Sequence, residues 1–387
     1  MRFSLSFAAL ALLVASALGA PTAIHSIETF DGETSGKHII TLKQGVKKED
    51  LFKNLKAKVS VSHEWEVING FAAEFDEETL NELRANPNVE SITEDGLMHT
   101  MSTQTNAPWG IARLSSTTRL SNQNPSSLTF SYTFDDSAGA GVDIYVVDTG
   151  IFIEHTEFGG RATWGETFGP YADADGNGHG THISGTAAGR QFGVAKAANL
   201  VAVKVLSDQG SGTISDIISG LNFVAQRAAS TGRPAVTLLA LGGGPSTVLD
   251  NAVVSLTSSG IHVVVAAGNS NADASNFSPA RVPSAITVGA TIISDSRTSP
   301  SNFGSVIDVF APGQNIVSAW IDSPTSTNTL SGTSMAAAHV AGVVAYFIGL
   351  EGNVSPASMI AKIHAHSLKS ALIGVPSGTL NELAHIA

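Results

Sequence analysis

Hydrophobic and polar positions divide the chain into three stretches with different rhythms. Residues 1–20 open with a single Arg2, run apolar from Phe7 to Val14 and close in small residues. A basic start, a short apolar core and a small-residue tail are the pattern of a secretory signal peptide. Ala15-Ser16-Ala17 fits the small-x-small cleavage rule, and a cut after Ala20 is the alternative. The apolar run falls short of the roughly 20 residues a bilayer-spanning helix needs. Val340 to Leu350, the most hydrophobic later stretch, also falls short of that length. A secreted chain with no membrane anchor is expected.

Residues 21–101 read as a small α+β unit. His38 to Leu42 and Val89 to Thr93 are strand-like, and Lys48 to Lys56 and Glu77 to Ala85 are helical. Between them Glu64 to Phe75 alternates around Ile68-Asn69-Gly70-Phe71, and Asn-Gly between alternating apolar residues signals a hairpin. A polar linker, His99 to Asn106, is expected next. From Gly141 onward the rhythm changes to near-continuous apolar runs, at 142–147, 200–205, 236–241 and 261–266, with helix-like segments at 214–229 and 247–259 between them. Strands of that kind are buried on both faces, as in a parallel sheet. Their alternation with helices predicts an α/β domain over 102–387, with its functional groups at the carboxyl ends of the strands.

Composition narrows the function. The 43% hydrophobic content is that of a folded chain, and 21 Lys plus Arg against 33 Asp plus Glu gives a net charge of −12. A nucleic-acid binder needs clustered cations for phosphate, so the acidic balance argues against that class. With no cysteine, disulfide scaffolds, thiolate metal sites and a Cys nucleophile are excluded too.

Three motifs carry chemistry. Asp148, in Val146-Val147-Asp148-Thr149-Gly150, ends a buried strand, where a carboxylate is costly unless something answers its charge. His179 lies in Gly176-Asn177-Gly178-His179-Gly180-Thr181-His182, a Gly-rich loop entering a helix. Ser334, in Ser331-Gly332-Thr333-Ser334-Met335-Ala336, opens an apolar helix over 335–347. Unpaired N–H groups at a helix start favour a developing oxyanion. Together Ser, His and Asp supply the nucleophile, the base and the group that orients the base in acyl transfer. The chain order Asp148, His179, Ser334 differs from the α/β-hydrolase and chymotrypsin orders and leaves the subtilisin order.

These stretches resemble subtilisin-like serine proteases of the proteinase K branch. Gln104 to Gly110, Gly193-Val194-Ala195-Lys196, Leu241-Gly242-Gly243-Gly244 and Ala266-Ala267-Gly268-Asn269 extend the resemblance over 104 to about 350. It implies a subtilisin-like parallel sheet flanked by helices, with Asp148, His179 and Ser334 as the triad. Asn269 matches the family's side-chain oxyanion donor, acting with the Ser334 backbone N–H. Gly210, Ser211 and Gly212 on one side and Ala240, Leu241 and Gly242 on the other match the edges that hold a substrate peptide as an added strand. Ala266, Ala267 and Gly268 match a wall of the P1 pocket. The 21–101 block resembles the family's inhibitory propeptide, which assists folding and is cut off by the enzyme itself. The cut is expected at Met101-Ser102, with Thr100-Met101 as the alternative. Pro283, Ala285 and Asp308 match positions that hold a structural calcium in this branch.

The resemblance thus implies a secreted, monomeric endopeptidase made as a zymogen, acting on proteins and peptides with a bias to apolar or aromatic P1. It implies no nucleic-acid or membrane partner. A catalytically silent peptide-binding homologue and an esterase are the alternatives, and the intact Asp148, His179, Ser334 and Asn269 argue against the first. An EF-hand at 173–184 is rejected because its twelfth position is Ser184, not Glu. His182 and His339 are read as hydrogen-bonded structural residues, and the sequons at Asn276 and Asn353, each followed by Pro, carry little weight. Departures from the family pattern are Ala240 for Ser, Ala338 for Pro, and Ile183-Ser184 for Cys or Val followed by Ala.

Overall fold

The computed structural model describes residues 24–30, 34–55, 58–97 and 101–386, in two compact units that divide between residues 98 and 99. The expected signal peptide and residues 98–100 lie outside the described residues.

The first unit contains β1 (Ile27–Glu28), β2 (Thr34–Leu42), α1 (Lys48–Asn54), β3 (Val61–Trp65), β4 (Gly70–Ala73), α2 (Glu77–Arg84) and β5 (Val89–Gly96). Its strands lie in the order β1-β5-β2-β4-β3. The β3–β4 hairpin forms where Asn69-Gly70 signals it. Asn69 takes a φ of 42°, a left-handed conformation that Asn tolerates, and its Nδ2 donates to the carbonyls of Lys43 and Val46, each at 3.2 Å. Asp76 caps α2 by accepting the Thr79 N–H at 2.7 Å, satisfying one of the donors a helix start leaves unpaired. Ile40, Leu42, Phe71, Leu83 and Ile92 form the centre of this unit's own core.

The second unit opens with β6 (Met101–Ala107), α3 (Trp109–Leu114), β7 (Phe130–Asp135), β8 (Asp143–Asp148), β9 (Ala162–Thr167), α4 (His179–Ala188), β10 (Asn199–Lys204), α5 (Ile214–Thr231), β11 (Ala235–Leu239) and α6 (Thr247–Ser258). It continues with β12 (His262–Ala266), β13 (Ile286–Thr291), β14 (Val309–Pro312), β15 (Ile316–Ala319), β16 (Thr327–Leu330), α7 (Thr333–Glu351), α8 (Pro356–His366), β17 (Leu368–Lys369) and β18 (Glu382–Leu383). The main sheet runs β17-β18-β14-β13-β12-β11-β8-β10-β9. Every neighbouring pair in it is parallel except β17–β18.

Both faces of that sheet are covered, which explains the apolar runs. Successive side chains on a strand point to opposite faces. On β8, Ile144 and Val146 join the core that contains α7, and Tyr145 and Val147 join the core that contains α5 and α6. On β10, Leu200 and Ala202 divide from Val201 and Val203 in the same way. Strands expected at 142–147, 200–205, 236–241 and 261–266 appear within two residues of those bounds.

Two expectations need correction. The stretch expected as a polar linker forms β6 from Met101, paired antiparallel with β7 through Ser102↔Phe134 and Gln104↔Tyr132. Its alternating residues carry no apolar signal because little of that strand is buried. The apolar helix is also longer than its most hydrophobic run: α7 spans 19 residues and is long and apolar enough to cross a membrane by length and composition alone, yet it is mostly buried inside the protein. Small residues let it approach α4. A β-carbon on Gly342 would lie 2.7 Å from the Ala187 carbonyl oxygen.

Arg113, at the end of α3, is buried and donates from Nε and Nη2 to the two carboxylate oxygens of Asp295 at 2.8 and 3.1 Å. Removing one partner of a buried pair strands the other charge. Arg113→Met should therefore lower the free energy of unfolding by about 3–5 kcal/mol, measured by equilibrium urea unfolding.

Candidate active site

The candidate groups converge at the carboxyl edge of the sheet. Asp148 is the last residue of β8 and is fully buried. Its Oδ1 accepts the Thr149 N–H at 2.8 Å and lies 2.8 Å from Nδ1 of His179. With the carboxylate ionised, Nδ1 carries the proton of that bond, leaving Nε2 as the acceptor nitrogen. His179 is the first residue of α4. Burial alone would lower its pKa. The charge of Asp148, the hydrogen bond to it and the charge of Asp175 outweigh burial and hold it above the ordinary 6.5.

Asp175 fixes how β8 and α4 meet. Its Oδ1 accepts from the Thr149 hydroxyl at 2.9 Å and from the N–H groups of Asn177 and Gly178 at 3.1 and 2.8 Å. Its Oδ2 accepts from the N–H and hydroxyl of Thr181 at 2.9 and 2.6 Å. Thr149 Oγ1 in turn accepts the Gly180 N–H at 2.9 Å. The turn must be tight, since a β-carbon on Gly180 would sit 2.0 Å from the Gly150 carbonyl oxygen. From below, the fully buried Lys204, at the end of β10, donates to the Thr149 carbonyl at 2.6 Å and to Asp208 Oδ1 at 3.0 Å.

Ser334 is the second residue of α7, and its hydroxyl donates to the Ala240 carbonyl at 3.0 Å. Asn269 accepts the Thr333 N–H through Oδ1 at 3.0 Å, which assigns the amide and leaves Nδ2 as its donor end. That nitrogen lies beside the start of α7, 3.3 Å from where a β-carbon on Gly332 would be. His179 lines a cavity of about 530 Å³ with Gly210, Ser211 and Gly212. Ser334 lines an adjoining one of about 340 Å³ with Ala266, Ala267, Gly268 and Asn269. Residues Ala240 to Gly244, including Leu241 and Gly242, line both. The structure therefore brings all the expected cleft residues to one groove.

A family model described as the subtilase family matches residues 139–382. The chain belongs to the subtilase family. A second model, peptidase inhibitor I9, matches 37–101. A cuticle-degrading protease of Metarhizium anisopliae is 44% identical over 356 residues, covering 90% of this chain and 89% of its own. An alkaline serine protease of Corniculantispora psalliotae is 43% identical over 391 residues, covering 99% of each. Among solved structures, a cold adapted subtilisin-like serine proteinase matches with a TM-score of 0.66 and 45% identity, over 73% of this chain and 99% of that one. The protein is thus a subtilisin-like serine protease preceded by an inhibitor I9 domain.

Several residues that support the subtilase site carry no motif. Asn302, fully buried, donates to the Ala267 carbonyl at 2.8 Å and accepts the N–H groups of Ser270 and Ala272, each at 3.0 Å. Thr333 Oγ1 accepts the Gly268 N–H at 3.1 Å. Asp175 stands in the EF-hand-like opening at 173–184, and nothing local in the sequence signals its role as a hub. Lys204 did leave a signal, a lone cation in an apolar strand. His182 and His339 are structural, bonded to the carbonyls of Ile316 and Met335, each at 2.9 Å. Burial brings them down to about 3 and about 4. Ala240 contributes a backbone carbonyl, which the change from Ser leaves intact, and α7 runs unbroken through Ala338.

The calcium expected at Pro283, Ala285 and Asp308 does not fit the residues around it. Asp308 Oδ2 accepts the Thr287 N–H at 2.7 Å, and Oδ1 faces His364 Nε2 at 3.8 Å. Burial pushes the Asp308 carboxyl up to about 6. Calcium takes about six to eight oxygen ligands, each at roughly 2.3–2.6 Å, and here a ring nitrogen stands beside Oδ1 while Oδ2 is taken by a backbone N–H. Among the described residues no cluster of three or more His, Asp or Glu side chains could hold a metal.

Asn302 offers a direct check on the wall that carries Asn269. Asn302→Ala strands two N–H groups and a carbonyl, at about 1–3 kcal/mol each. A lowered melting temperature and reduced kcat are expected, read by calorimetry and peptide hydrolysis.

Proposed function

We propose that Ser334 is the nucleophile of a secreted, self-processing endopeptidase, with His179 as its general base and Asp148 as the group that orients and stabilises the imidazolium. The observation that carries this reading is the 2.8 Å Asp148–His179 bond in a groove that also contains Ser334. In the resting arrangement the Ser334 hydroxyl is held by the Ala240 carbonyl. A bound peptide, lying as an added strand against that edge, competes for this carbonyl and turns the hydroxyl toward Nε2. His179 then takes the proton as Oγ attacks the scissile carbonyl. The oxyanion forms between the Ser334 N–H and Asn269 Nδ2, donors fixed before the charge develops. Removing such a donor lowers the rate roughly 100- to 1,000-fold, a range that comes from subtilisin itself. The imidazolium returns its proton to the leaving amine, and water repeats the sequence to release the acyl enzyme.

Alanines and glycine line the cavity beside Ser334 together with Phe277 and Ala280, which supports an apolar or aromatic P1. The I9 match ends at residue 101, which supports release of 21–101 by cleavage at Met101-Ser102. Secretion rests on the signal-peptide pattern of residues 1–20.

Intact mass of the secreted protein, with and without a fluorophosphonate probe, tests the assignment. Loss of residues 1–101 and probe mass on Ser334 are expected, with Ser334→Ala keeping residues 21–101. Processing of Ser334→Ala in purified form would overturn it.

The pH dependence follows from the raised His179 pKa. The base must be neutral, so kcat/KM falls as pH drops through a pKa above 6.5. A neutral-to-alkaline optimum is expected from a pH–rate profile on a peptide substrate, and a maximum near pH 4 would contradict the assignment.

A further inference from the structure

Asp308 precedes β14 and Glu382 opens β18, and those strands are neighbours, paired at Phe310↔Leu383. The gap between the two carboxylates is filled from α8. His364 places Nδ1 2.8 Å from Glu382 Oε2 and Nε2 3.8 Å from Asp308 Oδ1. Lys369, on β17, places Nζ 2.8 Å from Glu382 Oε1. The side chains of Asp308, Glu382 and His364 are each less than a third exposed. Asp308 is also bound to β13: its N–H donates to the Thr287 carbonyl at 3.0 Å while its Oδ2 takes the Thr287 N–H.

A calcium at Asp308 needs to lie roughly 2.3–2.6 Å from a carboxylate oxygen, with several more oxygens around it. The imidazole stands beside Oδ1, with Nε2 3.8 Å away, and it brings a nitrogen to a carboxylate whose ion would need hard oxygen ligands. Glu382 adds no free carboxylate, because its two oxygens are engaged by His364 and Lys369. We propose that in this chain the His364 side chain, backed by Glu382 and Lys369, takes the place of a structural cation at Asp308. The site then binds no calcium, and protein groups join the C-terminal α8–β17–β18 segment to β13 and β14.

The test is calcium titration calorimetry at neutral pH on the full chain carrying Ser334→Ala, with and without Asp308→Asn. Equal stoichiometry, whether zero or more per chain, supports the proposal, since any calcium bound is then elsewhere. One calcium fewer in Asp308→Asn overturns it. If Asp308→Asn does not fold, His364→Lys replaces it. That variant puts a cation in front of Asp308, so unchanged stoichiometry supports the proposal and a lost calcium overturns it. His364→Ala, melted in the presence of a chelator, should unfold several degrees below its parent. An unchanged melting temperature would show that the imidazole carries no such role.

Discussion

A carboxylate taken out of water must be answered by donors, and this requirement organises the catalytic unit. Asp148 closes an apolar strand and Asp175 stands just before α4, each with little or no exposure. Neither is tolerable alone. Asp175 gathers donors from the β8 terminus, from the loop and from the first turn of α4. In doing so it sets how far apart Asp148 and His179 can be. The Asp148–His179 bond is therefore a consequence of a larger hydrogen-bonded joint between a strand and a helix, supported beneath by the Lys204 ammonium.

The same logic separates what could be read in the sequence from what could not. Strands β8, β10, β11 and β12 were legible because both faces of each are buried, so the apolar run is the strand. The hairpin of the first unit was legible because Asn69 needs a left-handed turn. β6 was not, because a strand held at the edge by backbone pairing needs no apolar side chains. At the groove, Asp148, His179, Ser334 and Asn269 lie in short motifs at or beside element ends, and those motifs made them legible as candidates although their partners lie 31 or more residues away. Asn302 could not, because it works through three backbone groups and its neighbours in sequence are ordinary loop residues.

Asp308 illustrates the limit of carrying a site over by position. Pro283, Ala285 and Asp308 match the family's pattern one by one, yet what surrounds a carboxylate decides what it binds. The groups proposed here in place of the ion, His364 and Glu382, are 18 residues apart in sequence and meet through the pairing of the last strands with the sheet. No inspection of the stretch around residue 308 would have found them.

One feature of α7 reaches beyond geometry. Its residues from Met335 to Ile348 are almost all buried, and Ser334 stands at its first turn. Local openings that expose loops and termini while the core holds cannot displace this serine without pulling the central helix from the sheet. Heat or denaturant should consequently leave Ser334 seated on α7 until the whole unit gives way, so that amide exchange at the reactive end of α7 and global unfolding report the same event.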